Sequence, residues 1–276
     1  MKRGLIVAFV LATSLAAAPA AAAMTQTAHS GNVTATFTFN GKFPNFTGET
    51  ITIAQAGQVL YDKPVVSKFC QTDCAPGSTN ATRSSVHVLD LEHDGQPDVV
   101  LDLFSGGAHC CSIEEIFSFD PGTMTYVETE RNFGDPGERI VDLGHNGHRE
   151  FLTADDSFAF AFTDFAASGL PIQILKFSGR RFQNVTRSYP KLIANDAAAW
   201  LRIFKGMAKQ HFQDSVGVIA AWAADEDLLG HSKQVSRYLA RQEKAGHLNT
   251  PQGAGGGGKK FVTRLQRFLR RQGYLH

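Results

Sequence analysis

The chain has 276 residues, 43% hydrophobic and 19% charged, with 27 Lys+Arg against 26 Asp+Glu. This is ordinary globular composition with enough apolar material for a real core, and it excludes a charge-dominated disordered chain. The near-zero balance hides a split: residues 24–190 carry 11 Lys+Arg against 20 Asp+Glu, and residues 191–276 carry 14 against 6. Two regions with different work, or two regions that attract each other, are expected.

Met1-Lys2-Arg3 is a short basic stretch, Leu5 to Leu15 is mostly apolar, and Ala21-Ala22-Ala23 offers small residues for cleavage. That order of features predicts a secretory signal over residues 1–23, cleaved near Ala23, and export to a periplasm or beyond. Nucleic-acid partners are not expected outside the cytoplasm.

Residues 31–66 read as strands. "NVTATFTF" alternates with period two, and a hairpin is expected to turn near Ala56-Gly57-Gln58. Residues 67–84 are expected to form a loop containing Cys70 and Cys74; the other cysteines are Cys110 and Cys111. An even count in an exported chain suggests disulfides. A vicinal bridge is strained, so two bridges joining the 70–74 loop to the 110–111 strand are expected, with the partners unassigned.

An internal repeat follows. "VLDLEHDGQPDVVLDLF" and "IEEIFSFDPGTMTYVET" make the first copy, about 84–133. "IVDLGHNGHREFLTADD" and "PIQILKFSGRRFQNVT" make the second, about 137–189. Asp90 aligns with Asp142, Gly95 with Gly147 and Asp98 with Glu150. Each copy reads as strand, acidic loop, strand and hairpin, giving an antiparallel β-rich domain over 24–190. After Pro190 the period changes. A helix capped by Asn195 or Asp196, a second over 214–229, a third in "SKQVSRYLARQEKAG" and a last one beyond the Gly-rich linker 253–258 predict a helical subdomain over 191–276. The fold class is α+β.

The first acidic loop has the spacing D-x-E-x-D-G-x-x-D. Calcium takes six to eight oxygens, and this loop can offer side chains of Asp90, Glu92, Asp94 and Asp98 with the carbonyl of Gln96. Gly95 permits the sharp turn. Only oxygen donors are present, which favours calcium over zinc or copper. The alternative is a metal-free acidic turn. The second copy keeps Asp142, Asn146 and Glu150 but has Gly144 and Arg149 where the first has Glu92 and Pro97, so it is expected to keep the turn without the ion.

The D-x-x-x-D-G-x-x-D loop inside a strand unit of some fifty residues resembles the FG-GAP/VCBS repeats of integrin-like propeller blades, over residues 84–190. The whole chain also resembles exported bacterial proteins that join such repeats to "GGAHCC" and "DLGHNGHREFLTADDSFAFAF" segments. The resemblance implies propeller-blade-like repeats and a calcium loop, and no activity. A closed propeller needs at least four blades, so an incomplete array is expected.

Other stretches offer weaker chemistry. His109 beside Cys110 reads as a hydrogen-bonding neighbour of a bridge. Phe158, Phe160 and Phe162 alternate as in a half-buried strand. Asp155-Asp156 could supply the carboxylates of an envelope hydrolase acting on glycan or peptide, although neighbours on a strand face opposite ways. Lys259, Lys260, Arg264, Arg267, Arg270 and Arg271 surround an apolar stripe of Phe261, Leu265, Phe268 and Leu269, so residues 259–276 could lie on an anionic membrane surface or dock on the helical subdomain. The reading as a whole is an exported, calcium-stabilised binding module of the cell envelope with an unknown ligand and no assigned catalytic residue.

Overall fold

The computed structural model describes residues 23–70, 74–77, 84–107, 109–210, 214–250 and 256–275. The signal predicted over 1–23 lies outside them except for Ala23, as do residues 253–255 of the 253–258 linker.

Among the described residues three antiparallel sheets and four α-helices make up the fold. The first sheet is a meander of β1 (Met24–Ser30), β2 (Val33–Lys42), β3 (Asn45–Gln55) and β4 (Gln58–Pro64). Ala56 and Gly57 make the expected turn, both with positive φ, the form that a tight hairpin requires. The reading from residue 31 missed β1, whose weak pattern is dominated by Thr, Gln and His.

The second sheet contains β5 (Ala75–Pro76), β6 (Val86–Leu89), β7 (Asp98–Phe104), β8 (Ser112–Asp120) and β9 (Thr125–Gly134). β5 and β6 both pair with β7, and β7, β8 and β9 follow in order. The third sheet runs β10 (Glu138–Val141), β11 (Glu150–Ala154), β12 (Ile172–Ser178) and β13 (Arg181–Asn184). The two repeat copies are therefore two four-strand meanders.

The sheets are stacked, with the second in the middle. Val99, Leu101, Leu103, Ile113 and Phe117 on one face of the second sheet share a core with Val33, Phe37, Ile51 and Ile53 of the first. Val100 and Ile116, on the opposite face, share a core with Phe151, Leu175 and Phe177 of the third. The near-continuous apolar run of β7 follows from this burial on both faces.

The helices are α1 (Pro190–Lys209), α2 (Val216–Leu228), α3 (Ser232–Lys244) and α4 (Gly258–Arg271). α1 starts five to six residues before the expected cap. Pro190 fits the first helical position, and Asp196 instead accepts from the Ile172 amide and the Trp200 indole, each at 2.9 Å. α2 is buried on every side, which explains its Ala-rich, non-amphipathic sequence. α4 lays Phe261, Leu265, Phe268 and Leu269 against this core. Full burial of each such side chain is worth about 1.5–3 kcal/mol, so the stripe holds the last helix down. Among the described residues no helix is long and apolar enough to cross a membrane.

Two expectations are corrected. Cys70 pairs with Cys74, and Cys110 pairs with Cys111, so neither bridge joins the loop to the strand. Hydrogen bonds make that junction instead: β5 pairs with β7, and the Gly77 amide donates to the Asp102 carbonyl at 2.8 Å. Both pairs still reach the same core, where Cys74 and Cys111 are buried.

The Phe158–Phe162 stretch is also not a strand. Ala154 and Ile172 are the last cross-strand partners of β11 and β12, so 155–171 is an excursion between them. Asp155 caps a short 3-10 turn over Asp156–Phe158 by accepting from the Ser157 amide at 3.0 Å. Phe158 and Phe162 then enter the helical core, and Phe160 is left 59% exposed.

Candidate functional site

The two acidic loops occupy the same position in their meanders, between β6 and β7 and between β10 and β11. Their hydrogen bonding is nearly superposable. Asp90 accepts from the amides of Asp94 (3.1 Å) and Gly95 (2.9 Å); Asp142 accepts from those of Asn146 (3.1 Å) and Gly147 (2.9 Å). Asp94 then accepts from the Gln96 amide, and Asn146 from that of His148. His93 and His145 have φ near +54° and +51°, with Gly95 and Gly147 at +84° and +88°. Left-handed geometry suits Gly and strains a histidine, so the turn is built against local preference in both copies. The Gly147 amide bond holds the Asp142 carboxyl below its ordinary range, with the Asn146 amide helping.

The copies diverge in what surrounds the turn. Asp98 is buried and accepts from the Ser118 hydroxyl at 2.6 Å. Burial raises its carboxyl to about 7 against the pull of Ser118 and the Leu91 amide, and the charges of Glu92 and Asp94 push the same way as burial. Glu150, its counterpart, accepts from the Leu143 amide at 3.0 Å. Glu92 reaches across to the third sheet, accepting from the Ser178 hydroxyl (2.9 Å) and the Gly179 amide (3.0 Å). The second copy has Gly144 there and no such reach.

Asp94, Gln96 and Asp98 line one wall of a cleft of about 190 Å³ between the second and third sheets, with Glu92, Asp120 and Arg180 on its rim. Arg180 and Asp120 form an ion pair at 3.4 Å. Oxygen donors dominate the loop side, a match for a hard cation. Asp90 is turned onto loop amides and Glu92 onto the third sheet. Among the described residues no three His, Cys, Asp or Glu side chains converge where a metal ion could be held. The donor chemistry thus fits calcium, while the arrangement is that of a capped acidic turn beside an acidic cleft.

Asp155 and Asp156 diverge. Asp155 accepts from the Tyr274 hydroxyl at 2.7 Å, tying the end of the chain to the β region, while Asp156 accepts from the Asp135 amide at 3.3 Å. Burial raises the Asp156 carboxyl.

One grouping was not anticipated. The His109 ring packs at a tilt against Phe165 (ring centroids 4.5 Å) and approaches Phe160 (6.1 Å), which brings the "GGAHCC" segment and the excursion 155–171 together at the surface. His109 is exposed there. Phe160 has a φ of +57°, unusual for a bulky residue, and its amide donates to the Ser168 hydroxyl at 3.1 Å. The alternation of Phe in the sequence concealed this, because it imitates a strand.

These features define an α+β chain of stacked meanders carrying twin capped acidic loops. No family model matches it, and no solved structure matches it. Two curated proteins are similar to it. An uncharacterized protein of Sinorhizobium fredii, y4bJ, is 25% identical over 141 residues, covering 50% of this chain and 22% of that protein. A probable thylakoid lumen protein of Synechocystis, sll0997, is 24% identical over 172 residues, covering 59% of this chain and 50% of that protein. The chain thus spans half or less of the relatives it matches.

Proposed function

We propose that the chain is an exported interaction module in which propeller-blade-like repeats are stabilised by calcium at the first acidic loop. The carrying observation is the setting of Asp98: a buried carboxylate in the lining of a cleft that also takes in Asp94, Gln96 and Asp120, with Glu92 and Asp94 adding negative charge. A hard divalent ion relieves that repulsion. Asp94, Asp98 and the Gln96 carbonyl would hold the ion, with Asp90 keeping the turn in shape. The signal-like first residues and the lumenal relative support export. The four-strand meanders and the repeated turn support the blade-like reading.

Thermal unfolding of the mature protein with calcium, with magnesium and with chelator tests this. A ligand that binds only the folded state adds about 2.7 kcal/mol at a hundredfold excess over Kd. The expected result is a calcium-specific rise that Asp94→Ala abolishes. An unchanged midpoint in protein first stripped of metal would reduce the loop to a capped turn.

A second reading, binding of an anionic surface by α4, is supported by the way this helix docks. Its apolar stripe is buried while Lys259, Lys260, Arg267, Arg270 and Arg271 remain exposed. Binding would be electrostatic and sensitive to salt, without insertion of apolar side chains.

A further inference from the structure

Strand β8 carries two consecutive glutamates in the middle of the middle sheet. Glu114 faces the third sheet and Glu115 the first. Glu114 is fully buried, and neither of its oxygens receives a hydrogen bond from an N–H or O–H group. What lies at hydrogen-bonding range is two more carboxylates: Asp102, its cross-strand partner on β7, and Glu138 on β10. Two carboxylates hydrogen-bond only if one of them holds a proton.

The remaining groups around Glu114 are few. The His87 ring on β6 meets Asp102 at 3.2 Å, and the Ser112 hydroxyl donates to Glu138 at 3.1 Å. Arg131 lies opposite Glu114 in the β9 register, but its guanidinium sits over the rings of Phe133 and Phe182, about 5 Å from each centroid. Among the described residues no Lys or Arg forms an ion pair with any of the three acids, and no three acids converge on a point where a metal ion could be held.

We propose that Asp102, Glu114 and Glu138 form a proton-held latch between the second and third sheets. Glu114 carries the proton, and Asp102 and Glu138 are its acceptors. As pH rises the proton passes to solvent, the carboxylate of buried Glu114 faces those of Asp102 and Glu138 across a partly exposed interface, and β10 loosens from β8. β10 is a short edge strand of four residues, so it is the element free to move.

Burial raises Glu114 well above the ordinary glutamate value, and the charges of Asp102 and Glu138 add to this. Glu138 is itself raised, by burial first. The sign follows. Below the ordinary glutamate value folded and unfolded chains both hold the proton, and the latch is fully stabilising. Above it only the folded chain holds the proton, so stability falls until the folded value is passed. The latch is independent of calcium.

Chelator-treated wild type, Glu114→Gln and Glu138→Gln would be unfolded with denaturant from about pH 5 to about pH 9, with amide exchange followed in 138–141. One linked proton changes the unfolding equilibrium about tenfold per pH unit. The expected result is that Glu114→Gln removes one such slope, and that exchange in 138–141, corrected for its intrinsic pH dependence, speeds up with pH in the wild type only. Because Glu114→Gln could fail to fold, the wild-type Glu114 carboxyl would also be titrated by ¹³C NMR. Parallel slopes in wild type and Glu114→Gln would overturn the proposal. So would an ordinary titration of Glu114, or a slope abolished by added calcium or magnesium, which would make a cation the shared species.

Discussion

Glu115 offers the sharpest quantitative test of the stacked-sheet architecture. It is 1% exposed between the first and second sheets, and neither oxygen receives a donated hydrogen bond. Burial raises it to about 8, and the charges of Glu128 and Glu130 contribute. Its neighbour Glu130 has its own partners, the Ser67 hydroxyl and the Lys68 ammonium at 3.1 Å. In an unfolded chain Glu115 would titrate at the ordinary value of about 4.3. Between these two values the folded state holds a proton that the unfolded state has released. Stability is therefore greatest at acid pH and falls by about 1.4 kcal/mol per pH unit as pH rises. Over the window from about pH 5 to about pH 8 the loss is roughly 3–4 kcal/mol from this residue alone, a large part of a typical domain's stability. Glu115→Gln keeps the shape and removes the titration. Denaturant unfolding at several pH values should give a curve for Glu115→Gln that is flatter than wild type by that amount, with the variant more stable above neutrality. Curves that run parallel would show that Glu115 is ionised in the folded protein, and the reasoning from burial would be wrong.

Two further outcomes follow from the same packing. Replacing Cys70 and Cys74 together by Ser opens a small loop, and chain entropy puts the loss at about 2 kcal/mol, against about 4 kcal/mol for a bridge spanning some forty residues; peptide mapping of the unreduced protein should find 70 joined to 74. Glu92→Ala removes the clasp on Ser178 and Gly179 and should cost about 1 kcal/mol, since the pair is only partly buried, with faster amide exchange confined to the turn after β12; an exchange map unchanged at 178–181 would mean that the clasp carries no weight.

Much of this fold is legible from period and punctuation. The alternation of β2 and β3, the Ala56-Gly57 turn and the four helical stretches announce themselves, because each is decided by residues close in the chain. The repeat is legible for the same reason: Asp90, Gly95 and their counterparts encode one turn by local hydrogen bonds. What long-range packing decides was not legible. The Phe158–Phe162 stretch alternates like a strand, yet the helical core takes two of its rings and leaves the third outside. Cysteine spacing says nothing of which sulfurs meet. Glu114 and Glu115 look like an ordinary acidic pair in a strand, since nothing local reveals that their strand is sandwiched on both faces. The fate of Glu92 also depends on the third sheet, which the loop alone does not encode.

The burial of acids also changes how the charge split should be understood. Residues 24–190 carry a formal excess of acids, but Asp98, Glu114, Glu115 and Glu150 are buried within or between the sheets. Burial raises Glu114 well above its ordinary value and Glu115 to about 8, so Glu115 holds a proton at neutral pH. The β region therefore presents less negative charge to solvent than its sequence implies. On α3 and α4, Lys233, Lys259, Lys260 and Arg267 face outward. At neutral pH the folded chain should thus be more positive than its formal +1, with the excess concentrated on the helical end. The helical end carries an outward-facing positive field, and the proton content of the sheets sets how strongly the rest of the molecule offsets it.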